Sequence, residues 1–231
     1  LRVLNICFNQ WFHSLEQSTG AYNVPDARER ILTAAEQVFG QKGFKAATIR
    51  EICKTADANL ASVNYYFGDK SALYKEVVTR LMAQAIKNYP ADMGTQAEAP
   101  AELRLKAFIR SVLHRLLAPS GGLASYQGKG QLLARELADP SPALDTVVHA
   151  YISPQATILS GIVRELLTPR ASDDQVMRCA FSIIGQCFYY GYAWPIIQRL
   201  APIDLDNPVT LEHLAMHIAD FSLGGLARQN E

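Results

Sequence analysis

Residues 46–70, AATIREICKTADANLASVNYYFGDK, constrain the fold more than any other stretch, because they make two short helical patterns meet at a bend. Thr48 with Glu51 three positions on forms a capping box, whose hydroxyl and carboxylate satisfy backbone N–H groups that a first helical turn leaves orphaned. Ile49, Ile52, Cys53 and Ala56 then recur at i, i+3, i+4 and i+7, one buried face with Arg50 and Lys54 opposite it. Asp57 marks the turn, a position that tolerates left-handed backbone and where Gly is the easier residue. Asn59 is the expected N-cap of the next helix, along which Val63 and Phe67, four apart, face inward.

That second helix is left with Leu60, Ala61, Ser62, Asn64 and Tyr65 on or near its outer side. An α-helix fits the major groove of B-DNA when a second helix holds it rigidly. Small residues allow close approach to base edges and thymine methyls, and Asn64 has the donor–acceptor pair suited to adenine. Tyr65, Tyr66 and Lys70 are groups that bind phosphate oxygens, which fixes register without carrying sequence information.

Residues 26–75 resemble the N-terminal domain of the TetR family of bacterial transcriptional repressors. The resemblance lies in ERILTAAEQVFGQKGF, TIREICKTADA, NLASVNYYFGDK and SALYKEVVTRLMAQAI, in that order and spacing. It implies an all-α chain: a three-helix helix-turn-helix DNA-binding domain joined by a long helix to a C-terminal helical bundle. Carried over by position, it implies DNA contacts at Thr48, Arg50, Leu60, Ala61, Ser62, Asn64, Tyr65, Tyr66 and Lys70. Asp57 departs from the usual Gly and Asn64 from the frequent Tyr, the latter suggesting a different base or phosphate contact.

A formal net charge of zero over 231 residues first argues against a nucleic-acid binder. Locally the balance differs: Asp26 to Lys75 holds eight Lys/Arg against six Asp/Glu. So small an excess suits two copies reading one specific site with few phosphate contacts each, and weak non-specific binding. The length suits one small and one larger helical domain, divided here as 25–75 for DNA binding and 76–231 for ligand binding and dimerisation. Residues 1–24 lie outside the resemblance; they read as an extension, poorly ordered or loosely docked, or as an arm bringing Arg2 or Trp11 to DNA or dimer contacts. LRVLNICF is too short to span a bilayer and has no clear cleavage site, so no membrane partner is expected; the four cysteines read as reduced, structural thiols of a cytoplasmic protein.

The remaining periodicity is helical throughout. A first helix runs from Asp26 to a stop at Gly43, and a long one from about Asp69 to Tyr89 with Leu73, Val77, Leu81 and Ala85 four apart. Further helices are expected at 101–118, 124–138, 142–168 with a kink or break at Pro154, 173–200 bent near its end by Pro195, and 209–228. The last two are apolar around more of their circumference than one bundle needs. Packing against their copies in a homodimer accounts for that, with Gly185, Gly191, Ala180 and Ala193 allowing close approach; the resemblance implies the same four-helix interface.

An unknown small-molecule effector is expected inside the bundle, with His114, Tyr126, Gln127, Tyr151, Phe181 and Tyr189 as the mixed aromatic and polar wall. No GxSxG, P-loop or GxGxxG occurs, so no catalytic residue and no cofactor is assigned. His213 and His217 share a helix face, yet no Glu follows His213 as a zincin would require, and no metal is assigned. Cys7, Cys53, Cys179 and Cys187 lack metal spacing, and eight residues between the last two is about 12 Å along a helix, too far for a bridge. The reading is therefore a DNA-binding, ligand-responsive repressor acting as a homodimer on a near-palindromic operator. Its competitors are a helical carrier or enzyme without DNA binding, and a purely structural dimer.

Overall fold

The computed structural model describes residues 26–118, 132, 135, 136, 138–207 and 209–230. Expectations for residues 1–24, for Cys7, Tyr126 and Gln127, and for most of a helix over 124–138 lie outside these. All regular structure among the described residues is helical.

Four helices build the N-terminal half: α1 (Ala27–Ala46), α2 (Ile49–Ala56), α3 (Leu60–Phe67) and α4 (Lys70–Asn88). Gly43 interrupts α1 at φ 75°, ψ 177°, and a last helical turn follows it. An L side chain resists that backbone, so the break falls on the glycine. Ile31, Leu32, Phe39, Ile52, Val63, Leu73, Tyr74 and Val77 close one core. The Phe39 and Tyr74 rings meet edge to face at 4.8 Å. Around this core, Arg28 pairs with Glu76, and Arg80 with Glu29 and with the buried Glu36, so α1 and α4 are tied along their length.

The C-terminal half holds α5 (Ala101–Leu117), α6 (Leu144–Val147), α7 (Ser153–Leu166), α8 (Asp173–Tyr192), α9 (Trp194–Leu200) and α10 (Thr210–Arg228). A second core forms where α5 packs against α7, α8 and α10, through Leu105, Phe108, Ile109, Leu113, Val163, Cys187 and Ile218. Residues 148–152 form a π-helical turn, in which the Ser153 N–H reaches back to the Val148 carbonyl. Pro154 follows directly and has no N–H to give, so the wider turn is where the helix absorbs the proline. Pro195 acts more strongly than a bend: the run expected over 173–200 divides at Ala193, and α9 restarts with the proline in its first turn.

The two cores do not part at residue 75. Val77, Val78, Met82 and Ala85 of α4 extend the first core, and Leu132, Ala143 and Val147 join it from far along the chain. The Tyr74 hydroxyl donates to Glu136 Oε2 at 2.7 Å, and Glu136 Oε1 accepts from Ser141 N (3.0 Å) and Ser141 Oγ (2.8 Å). Arg135 Nη2 donates to the Gln41 carbonyl at 2.7 Å, and Lys45 pairs with Asp139 at 2.5 Å. Leu132, Arg135, Glu136 and residues 138–147 thus form a strap that holds the second half onto the first.

Candidate nucleic-acid interface and interior cavity

The bend between α2 and α3 is fixed from both sides. Thr48 Oγ1 accepts from Glu51 N at 3.3 Å while Glu51 Oε2 accepts from Thr48 N at 3.1 Å. Lys42 pairs with the same carboxylate; its hydrogen bond and those of Thr48 hold the Glu51 carboxyl below the usual range. Asp57 takes φ 48°, ψ 55°, the left-handed cap anticipated for a Gly-like position. Arg30, reaching across from α1, donates to the carbonyls of Ala56 (3.2 Å) and Asp57 (3.4 Å) and so caps the C-terminus of α2. This contact is invisible to any local pattern, because its ends lie 26 and 27 residues apart.

Asn59 Oδ1 accepts from Ser62 N at 2.8 Å and from Ser62 Oγ at 3.0 Å, which starts α3. Caps of this kind are worth about 1 kcal/mol. Val63 is fully buried and Phe67 nearly so, with the Arg28 guanidinium 5.3 Å from the Phe67 ring centroid. This anchoring leaves Leu60, Ala61, Asn64 and Tyr65 outward; Tyr65 is 83% exposed. Ser62 and Tyr66 are half-buried, and Tyr66 meets Tyr65 edge to face at 5.0 Å. Thr48 and Arg50 are exposed on α2's leading end. Lys70 is half-buried: its ammonium lies 4.8 Å from the Phe44 ring centroid and donates to the Lys45 carbonyl at 3.2 Å.

Gly68 sets how α3 leaves for α4. At φ 82°, ψ −69° it centres a tight turn closed by Asp69 N to Phe67 O at 3.1 Å. Asp69 then caps α4 by accepting from Ala72 N at 2.8 Å. Two short rigid joints therefore hold α3 with its outer face bare.

A second feature lies between α4, α5, α7, α8 and the π-turn: a cavity of about 170 Å³. Its wall includes Met82, Ala85 and Ile86 of α4, Phe108, Val112 and Arg115 of α5, Tyr151 and Ile152, Gln155 and Ser160 of α7, and Phe181 and Phe188 of α8. Of the expected wall residues, Tyr151 and Phe181 are among those lining this space. His114 is not: it stacks against Tyr89 at 5.2 Å, and Arg115 faces the space instead. Tyr189 is 56% exposed, and its neighbour Phe188 lines the space. In both cases the residue that lines the space is one position away, which on an α-helix is a rotation of about 100°. Arg115 had a signal of its own, since Leu105, Phe108, Val112 and Arg115 share one stripe and a charge on an apolar stripe is rare.

The outward side of α8, α9 and α10 carries Phe181, Tyr189, Tyr192, Ile196, Met216 and Phe221, all exposed. Of the small residues expected at a twofold seam, Ala180, Gly191 and Ala193 are buried within the chain's own packing and cannot lie there. Gly185 remains outward with no atom within 4 Å of where a Cβ would stand. His213 and His217 are exposed.

Comparison with known proteins bears on both halves. Residues 31–77 match the bacterial regulatory proteins of the TetR family, and residues 101–226 match the C-terminal domain of the HTH-type transcriptional dual regulator CecR. The chain belongs to the TetR family of transcriptional regulators. It is 27% identical to the HTH-type transcriptional repressor NicS of Pseudomonas putida, over 87% of this chain and 92% of that one. To the "Probable HTH-type transcriptional regulator YttP" of Bacillus subtilis it is 25% identical, over 60% of this chain but only 63% of the relative. The crystal structure of FadR from Bacillus subtilis in complex with stearoyl-CoA shares the fold, with TM-score 0.61 and 20% identity over 85% of this chain and 97% of that one. Family members are regulators and not enzymes, which removes ground from the carrier-or-enzyme competitor. Among the described residues no helix is long and apolar enough to cross a membrane.

Proposed function

We propose that the chain is a ligand-responsive repressor that binds a near-palindromic operator as a cytoplasmic homodimer. One observation carries this reading: α3 is capped, wedged by Val63 and Phe67, and presents a bare outer face of small, amide and phenol groups. On DNA, Ala61, Ser62 and Asn64 read base edges in the major groove, with Leu60 beside them. Thr48, Arg50, Tyr65, Tyr66 and Lys70 bind phosphates. Lys70 exchanges its bond to the Lys45 carbonyl for a phosphate oxygen, a stronger, charge-assisted partner. Two copies of α3 enter successive major grooves about 34 Å apart.

The exposed apolar face of α8 and α10 supports dimerisation, since so much aromatic surface is costly in water. The relative NicS is a repressor by name, which supports repression here. The effector occupies the interior cavity. Met82, Ala85 and Ile86 carry its presence into α4, and Tyr151 and Ile152 carry it into the strap that grips the DNA-binding half. For induction, the effector must bind the DNA-incompetent state better than the competent one.

The test is fluorescence anisotropy on genomic fragments selected by the protein. Tyr65→Ala and Lys70→Ala are expected to weaken operator binding at least tenfold with dimer mass and helicity unchanged. Full affinity in both variants would discard the reading face.

A further inference from the structure

Resting on the reading of the cavity as an effector site, we propose that it takes a small monocarboxylate, whose apolar body fills the space and whose carboxylate is received by Arg115 and Ser160. Arg115 lines the cavity yet is only 7% exposed. Its Nε donates to the Tyr89 carbonyl and its Nη1 to Gln155 Oε1, both at 2.7 Å. Those acceptors are neutral, and they fix the guanidinium plane. Nη2 is buried with no partner, and so is Ser160 Oγ, from a second residue of the same wall.

The missing element is a negative charge. Arg104, Lys106 and Arg110 on the same helix each hold an acidic partner: Glu165, Asp220 and Glu212. Arg115 has none among the described residues. Burial alone accordingly pushes its guanidinium down to about 10, with no carboxylate holding it up, and it still stays cationic at neutral pH. A buried, unpaired charge is destabilising, and its natural completion is an anion that arrives with the ligand.

Size and chemistry narrow the class. A cavity of 150 Å³ holds about one benzene ring, so about 170 Å³ takes a single ring or a chain of up to about eight carbons. Among the described residues that line the cavity, Arg115 is the only cationic side chain, too few donors for a phosphate dianion but enough for one planar carboxylate. Phe108, Tyr151, Phe181 and Phe188 supply ring faces and edges to the body of the ligand.

Calorimetry on the full chain at pH 7 compares benzoate with benzamide and octanoate with octanamide. At least one acid is expected to bind at least tenfold tighter than its amide. Arg115→Gln should erase that preference and Arg115→Lys should retain part of it. Because Arg115 also anchors Tyr89, two further variants leave that anchor intact. Ser160→Ala should weaken the acid severalfold with the amide unchanged, and Ala156→Phe, which fills the space, should abolish acid binding. Equal affinity for acid and amide, survival of acid binding in Ala156→Phe, or no acid binding at millimolar concentration would each overturn the proposal. Operator release by a neutral probe without acid preference would discard the carboxylate and leave the effector site standing. Acid binding that leaves operator affinity unchanged would keep the carboxylate and discard the effector reading.

Discussion

Tyr74→Phe removes one oxygen from the middle of the molecule and leaves the ring, so it isolates the bond that joins the strap to the DNA-binding half. Tyr74 and Glu136 are each 1% exposed, and the hydroxyl donates to the carboxylate at 2.7 Å. Burial first, and then the neighbouring carboxylate, hold the phenol protonated far above the usual tyrosine range, so it is a donor at every working pH. The edge contact with Phe39 at 4.8 Å and the tilted contact with Phe44 at 4.9 Å survive in phenylalanine. What is lost is a hydrogen bond to a charged group, worth about 1.5–3 kcal/mol in a buried site. Glu136 keeps two donors from Ser141, which caps the loss at that range. Removing the Ser141 hydroxyl as well leaves the carboxylate one donor, so Tyr74→Phe with Ser141→Ala should cost at least the sum of the single changes. Urea unfolding at fixed protein concentration, followed by far-ultraviolet circular dichroism, measures this from the midpoint at constant slope. A Tyr74→Phe protein within 0.5 kcal/mol of the parent, a threshold about a third of the smallest expected loss, would refute the reasoning.

Gly68→Ala meets no atom within 4 Å, so its cost is backbone strain alone, about 1–3 kcal/mol at φ 82°, ψ −69°, together with weaker operator binding; unchanged thermal stability would contradict the strain argument. His114 is pushed below its ordinary value of about 6.5, chiefly by burial, so the unfolded chain takes up the proton first. Its contribution is complete above that value and is lost as pH falls toward the lower folded value; His114→Gln should flatten the slope of stability below about pH 6.5. Burial raises the thiol of Cys53 and pushes that of Cys187 up to about 12, so at pH 8 in a Cys7→Ser background iodoacetamide should label half-buried Cys179 alone; rapid labelling of Cys187 in the folded protein would show the second core to be open.

Much of the α2–α3 region was legible because its determinants are local. Thr48, Asp57 and Asn59 act within three or four residues of themselves, and side-chain chemistry at a cap leaves few alternatives. Arg30 and Lys70 show where that ends: one caps a helix from 26 residues away, the other rests on a carbonyl 25 residues back. The cavity was legible only in outline. Aromatic residues near it were recognisable, but which of two neighbours faces inward depends on helix rotation, set by packing across α5, α7 and α8. The same limit explains Ala180 and Ala193, small residues that serve the chain's own core. The proline at 154 announced a defect, yet a π-turn and a break look alike in sequence.

The strap changes what counts as a unit. Leu132, Ala143 and Val147 complete the first core, and Glu136 answers Tyr74 from across it. A fragment cut after α4 would open that hydrophobic floor to water and strand a phenol without its acceptor. A working chimera must therefore take Leu132, Glu136 and residues 138–147 along with the first core, and its graft points lie C-terminal to that segment.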